Sequence, residues 1–185
     1  IIVLSATAQA GNQIEVTWTA PDDNDYAITT YSVEVSTDQT NWSTAGGGAS
    51  TTFTDTGLTT GTTYHYRIFA TNALGNSATS TTVNDLAGDD PDAVTGLTGV
   101  ALDETRIKLD WVEPGANAYP ISGYKIEVSL DNTNWTIVVA DTNTTSVTYT
   151  HTGLTTVTDY YHRVSAINGL GIGNASTVVQ TTTMG

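Results

Sequence analysis

Cysteine is absent from the 185 residues, which removes disulfides, thiolate metal sites and thiol nucleophiles together. Basic residues are scarce as well. Five Lys and Arg stand against nineteen Asp and Glu, for a formal net charge of -14. That imbalance opposes binding to nucleic acid or to an anionic membrane, where Lys and Arg supply the affinity. No apolar run approaches the roughly 18 residues of a membrane span. The opening Ile1-Ile2-Val3-Leu4 is too short for a span or a signal peptide and lines up with a strand further along the chain. Helical periodicity is missing throughout. No Gly-x-Ser-x-Gly elbow and no Cys/His pairing occurs, so the sequence reads as non-enzymatic, with no catalytic, cofactor-binding or metal site assigned.

What the chain has in excess is threonine: 38 Thr and 12 Ser. Thr is β-branched and suits the outward face of a half-buried strand. With few Lys and many Asp, this is either the surface style of secreted prokaryotic proteins or simply an acidic soluble surface.

One stretch occurs twice. Leu58-Thr59-Thr60-Gly61-Thr62-Thr63-Tyr64-His65-Tyr66-Arg67-Ile68-Phe69-Ala70-Thr71-Asn72 returns as Leu154 to Asn168, with Tyr160, His162, Val164 and Ala166 in the alternating places. A period of two puts Tyr64, Tyr66, Ile68 and Ala70 on one face of a sheet. A Leu six residues ahead of the Tyr that opens a strand reads as a tyrosine corner, whose phenol bonds back to the chain upstream. The duplication extends outward: Trp18 to Trp111, Tyr31 to Tyr124 and Trp42 to Trp135 are each 93 residues apart, and Leu58 to Leu154, Tyr64 to Tyr160 and Asn72 to Asn168 each 96. Three extra residues near Asp141-Thr142-Asn143 therefore mark a strand connection.

The pattern predicts an all-β chain: two tandem Greek-key β-sandwiches of about seven strands each. Residues 1–87 and 93–185 are the two domains, with a short acidic linker at 88–92. Inward rows fall at Ile14, Val16, Trp18; at Tyr31, Val33, Val35; and at their counterparts Ile107, Leu109, Trp111 and Tyr124, Ile126, Val128. Gly46-Gly47-Gly48 reads as a flexible link, and residues 77–86 as the last strand of the first domain.

Here the residues resemble a known family. Trp18-Thr19-Ala20-Pro21 and Trp111-Val112-Glu113-Pro114 are similar to the second-strand Trp and following Pro of fibronectin type III domains. Ile28-Thr29-Thr30-Tyr31 and Ile121-Ser122-Gly123-Tyr124 look like the start of that family's third strand. The two corners complete the match, and the Ser-x-Asp turns before Trp42 and Trp135 resemble bacterial and archaeal versions. Val157 and Thr60 depart from it, standing where Gly or Pro is common. The Arg-Gly-Asp tripeptide is absent, so integrin-type adhesion does not carry over. The resemblance implies an immunoglobulin-like, extracellular or cell-surface module that spaces, stacks or adheres. Matching Gly75-Asn76 to Gly173-Asn174 sets Met184 opposite Leu86, and the expectation is an excerpt from a longer array or one processed subunit of an assembly.

Candidate sites are few. Asp22, Asp23 and Asp25 crowd one loop, and Asp85, Asp89, Asp90 and Asp92 straddle the linker. Either group offers oxygens to calcium, and solvated charge is the favoured reading of both. The matching loop Gly115-Ala116-Asn117-Ala118 has no acid. No cofactor is expected, calcium at the acidic linker being the single exception. His65, His151 and His162 are the only imidazoles; His162 is expected in the inward slot that Tyr66 fills. Trp42, Trp135, Tyr26 and Tyr119 recur and are read as edge packing or as sugar-stacking rings. Asn41, Asn134, Asn143 and Asn174 head permissive sequons. The leading expectation is a rod-like spacer or subunit of a surface or filament-forming protein, partnered by other modules or by copies of itself. The alternatives are an accessory region of a secreted polysaccharide-degrading enzyme and a carbohydrate-binding adhesin. Nucleic acid and membrane insertion are not expected.

Overall fold

The computed structural model describes residues 4–185, and the expected strand residues Ile1, Ile2 and Val3 lie outside the described residues. Two compact units follow one another, Ile1–Asp89 and Asp90–Gly185. In the first, one sheet holds β1 (Leu4–Gln9), β2 (Gln13–Trp18) and β5 (Thr52–Asp55) in the order β1-β2-β5. The other runs β4 (Ser43–Gly48), β3 (Thr30–Ser36), β6 (Thr63–Asn72), with both β7 (Gly75–Asn76) and β8 (Val83–Leu86) paired to β6. In the second unit β9 (Thr95–Ala101), β10 (Arg106–Val112) and β13 (Thr148–Thr152) make the order β13-β10-β9. Facing them are β11 (Gly123–Ser129), β12 (Thr136–Val139), β14 (Asp159–Ile167) and β15 (Val179–Thr182), in the order β12-β11-β14-β15. All named strand pairs are antiparallel.

Each unit closes on its own core. In the first, alternation along β2 buries Ile14, Val16 and Trp18, and alternation along β3 and β6 buries Tyr31, Val33, Tyr66, Ile68 and Ala70. The second buries Ile107, Leu109, Trp111, Tyr124, Ile126, Tyr160, Val164 and Ala166. Trp18 meets Tyr31 edge-on at 5.3 Å between ring centroids, and Trp111 meets Tyr124 in the same way at 5.0 Å. Such edge-to-face pairs place a ring's positive rim against the other's negative face.

Both tyrosine corners form. The Thr59 amide donates to the Tyr64 hydroxyl at 3.1 Å, and the Thr155 amide to the Tyr160 hydroxyl at 2.9 Å. Gly61 turns the first corner at φ +77°, and Val157 turns the second at φ +48°. A β-branched residue is strained there, because its Cβ crowds the backbone. The insertion at Asp141-Thr142-Asn143 lies between β12 and β13, as expected of a strand connection.

Four details differ from the sequence reading. Gly46, Gly47 and Gly48 are no flexible link; they are the end of β4, paired to Val33, Ser32 and Tyr31. Glycine is needed there because a Cβ on Gly46 would collide with the Phe53 ring, and one on Gly47 with the Tyr31 carbonyl. The last strand of the first unit is only Val83–Leu86. Before it, the Ser77 and Ser80 hydroxyls accept from the Ala70 and Ile68 amides, so side-chain oxygens stand in for a ladder. The repeat keeps its 96-residue offset to the end: Ser80 and Ser176 hold Ile68 and Val164 alike, and Ala87 and Thr183 donate alike to Thr62 and Thr158. Met184 therefore stands opposite Gly88, not Leu86. Finally, the acidic segment is folded onto the units. Asp85 accepts from the Ala8 amide, Asp89 from the Gly11 amide, and Gly88 from Asn12, completing the first unit's β1–β2 end. Asp90 and Asp92 accept from the Asn117 side chain, and the Asp92 amide donates to Gly115, within the second unit.

Candidate functional site

The groups that recur on both units are the best candidates for a shared role. The turn from β3 to β4 is built on Asp38. Its carboxylate accepts from the Thr40 and Asn41 amides, the Asn41 side chain and the Ser36 hydroxyl. Asp131 repeats every one of these bonds with Thr133, Asn134 and Ser129. Hydrogen bonds to the charged form hold both carboxyls far below the usual range, led by the Asn41 and Asn134 amides. Gln39 and Asn132 take the left-handed position, at φ +59° and +57°.

Each turn delivers a tryptophan to the outer face of its sheet. The Arg67 guanidinium lies 4.1 Å from the centroid of Trp42 and pairs with Glu34 at 2.7 Å. Arg163 lies 4.2 Å from the centroid of Trp135 and forms a two-pronged pair with Glu127, through Nε at 2.9 Å and Nη2 at 3.2 Å. Arg163, then Lys125, holds the Glu127 carboxyl below its ordinary range. One ring face of each tryptophan is thus covered by a cation, and both rings are half-buried. Among the other recurring aromatics, Tyr26 is exposed and Tyr119 half-buried.

The acidic groups do not converge. The Asp22 and Asp23 carboxylates cap their own loop, accepting from the Asn24 and Asp25 amides. Among the described residues no cluster of three or more His, Cys, Asp or Glu side chains is arranged to hold a metal ion.

The structure does bring two imidazoles together. His162 points inward on β14 with no exposed surface, and its Nε2 lies 2.9 Å from Nδ1 of His151 on β13. His65 sits on the outward side of β6, next to the buried Tyr66. Burial pushes the His162 imidazole down to about 4, helped by the His151 charge, and burial lowers His151 too. In the first unit the same two positions hold Asp55 and Tyr66, whose hydroxyl donates to the Asp55 carboxylate at 3.0 Å. Burial, then the Asp55 charge, raises the Tyr66 phenol well above its ordinary range. The sequence signal was the 96-residue offset, which maps Asp55 onto His151 and Tyr66 onto His162 as a paired replacement. The sequence reading set His162 in the slot of Tyr66 but did not join it to His151.

Two clefts stand open. One of about 480 Å³ lies between the loop after β2 and the turn after β6, lined in part by Pro21, Asp22, Ile28, Asn72 and Leu74. The other, about 500 Å³, lies in the second unit beside Asp131, Asn134, His151, Leu154 and Tyr160.

The family described as fibronectin type III domain matches residues 3–85 and 92–182. Exoglucanase B of Cellulomonas fimi is 29% identical over 192 aligned positions, covering 97% of this chain and 16% of that protein. Titin of Drosophila melanogaster is 34% identical over 116 positions, covering 60% of this chain and 1% of that protein. The chain therefore spans a small part of the length of either relative. Among solved structures, the chicken CNTN1 FN1-FN3 domains superpose with a TM-score of 0.63 at 17% identity, over 99% of this chain and 66% of that one.

Proposed function

We propose that this chain, which belongs to the fibronectin type III family, is a non-enzymatic spacer region of a longer extracellular protein. The observation that carries the reading is the coverage: 97% of the chain aligns with only 16% of an exoglucanase. Both halves of the chain are spent on two sandwiches with separate cores. What they present is Thr-rich strands, satisfied turns and a net charge of -14, which favours solubility over association. The alignment favours attachment to a polysaccharide-degrading enzyme over a filament subunit, the other host a module of this kind can serve.

A carbohydrate-binding role has less support, because an arginine already occupies one face of each candidate stacking ring. The test is to incubate the chain with insoluble cellulose and with soluble oligosaccharides. Neither retention nor release of reducing ends is expected. Retention that disappears in Trp42→Ala or Trp135→Ala would replace the spacer with a carbohydrate-binding module. Sugar release would overturn the non-enzymatic reading.

A further inference from the structure

The His151–His162 pair joins a half-buried imidazole to a fully buried one and has a counterpart of different chemistry in the other unit. At neutral pH one facing nitrogen carries the proton and the other accepts it, giving one hydrogen bond at 2.9 Å. His162 Nδ1, on the far side of the ring, is buried without a hydrogen-bond partner. A proton added at the accepting nitrogen sets two N–H groups face to face, and one added at the donor ring's far nitrogen keeps the contact but leaves a positive charge among apolar residues.

Among the described residues no carboxylate forms an ion pair with either imidazole. On β14, Tyr160 lies 6.4 Å from His162 and 6.3 Å from His151 between ring centroids. On β13 the next inward titratable group is Tyr149, half-buried. The neighbouring strands place apolar residues beside the pair: Ile107 of β10 beside His151, and Val128 of β11 and Val179 of β15 beside His162. Arg106, Lys108 and Asp110 occupy the other face of β10, and Lys125, Glu127 and Arg163 form their own ion pairs. The one carboxylate sharing a cleft with His151 is Asp131, and its oxygens are already engaged by the turn.

We propose that the inward-facing pair of His162 and the half-buried His151 makes the second unit an acid-sensitive element, one that loosens in mildly acidic solution while the first unit, with Tyr66 and Asp55 in the same places, stays closed. The direction follows from proton counting. The unfolded chain binds protons at both histidines below about pH 6.5, whereas the folded unit resists them. Stability is therefore complete above the unfolded value and falls as the pH drops from there toward about 4, where His162 titrates in the folded unit. His162 alone makes the unfolding equilibrium constant of the second unit on the order of 50-fold larger at about pH 4.5 than at neutrality. The carboxylates held below their ordinary range, Asp103, Asp110, Glu127 and Asp131 in the second unit and Asp38 in the first, act in a different window, since their contribution is lost mostly below about pH 4.5.

Hydrogen exchange on the full chain, read by mass spectrometry at about pH 7 and about pH 4.5 and corrected for intrinsic rates, tests this. Protection should fall in β13 and β14 and persist in β5 and β6. The double variant His151→Asp/His162→Tyr, which installs the first unit's pair, should remove the difference. Equal loss in both units, no loss in either, or a difference that survives in a folded double variant would each overturn the proposal. A wild-type imidazole titration by NMR decides the matter independently of the variant. A His162 signal unchanged until near pH 4 supports the proposal, and ordinary titration near 6.5 in an intact fold refutes it.

Discussion

At the scale of single residues, the two copies of one corner show what a side chain costs where the backbone does not suit it. Val157 holds a left-handed conformation that Gly61 holds in the first unit, and its side chain is largely exposed. Val157→Gly should therefore stabilise the second unit by about 1 kcal/mol, since relief of strain outweighs the added freedom of the unfolded chain. Denaturant midpoints at unchanged slope would register it. The corner phenol is a matching case of opposite sign. Tyr160→Phe leaves the Thr155 amide without its acceptor and should cost about 1 kcal/mol.

At the scale of elements, the turn carrying Asp131 is a self-contained device. Asp131→Ala removes four acceptor contacts at once and leaves the Thr133 and Asn134 amides to solvent. Faster hydrogen exchange in β11 and β12, with β9 and β10 unchanged, is the expected readout. The Asp131 carboxyl sits lower in the folded chain than in the unfolded one, so its contribution is present above about pH 4 and is lost as the pH falls further. Strands of this kind were legible in the sequence because alternation is a local signal: β2, β3, β6 and their counterparts followed from every second residue. Gly46 to Gly48 were not, because their reason lies in the Phe53 ring on the following strand and the Tyr31 carbonyl on the preceding one, contacts that the local pattern does not show. The segment 88–92 was misread for a related cause. An aspartate that caps a distant amide has the same composition as one that is merely solvated. The tryptophans were found, but the arginines over them were not, since nothing local ties residue 67 to residue 42.

At the scale of the whole molecule, the cores share no residue, so damage to one should be confined. Leu109→Ala removes a fully buried side chain of the second unit and should cost about 2–5 kcal/mol there. Exchange in β2 and β6 of the first unit should stay at wild-type rates. Two copies of one plan on a single chain carry a further hazard, in that strands can be traded between them while the protein folds. The replacement of Asp55 and Tyr66 by His151 and His162 bears on that hazard. A β5 strand lodged in the second unit would set a carboxylate against an imidazole, and a β13 strand in the first would confront a phenol with one. Either mixed pairing can still form a hydrogen bond, so divergence at these two positions does not by itself keep each half of the chain with its own partner strands.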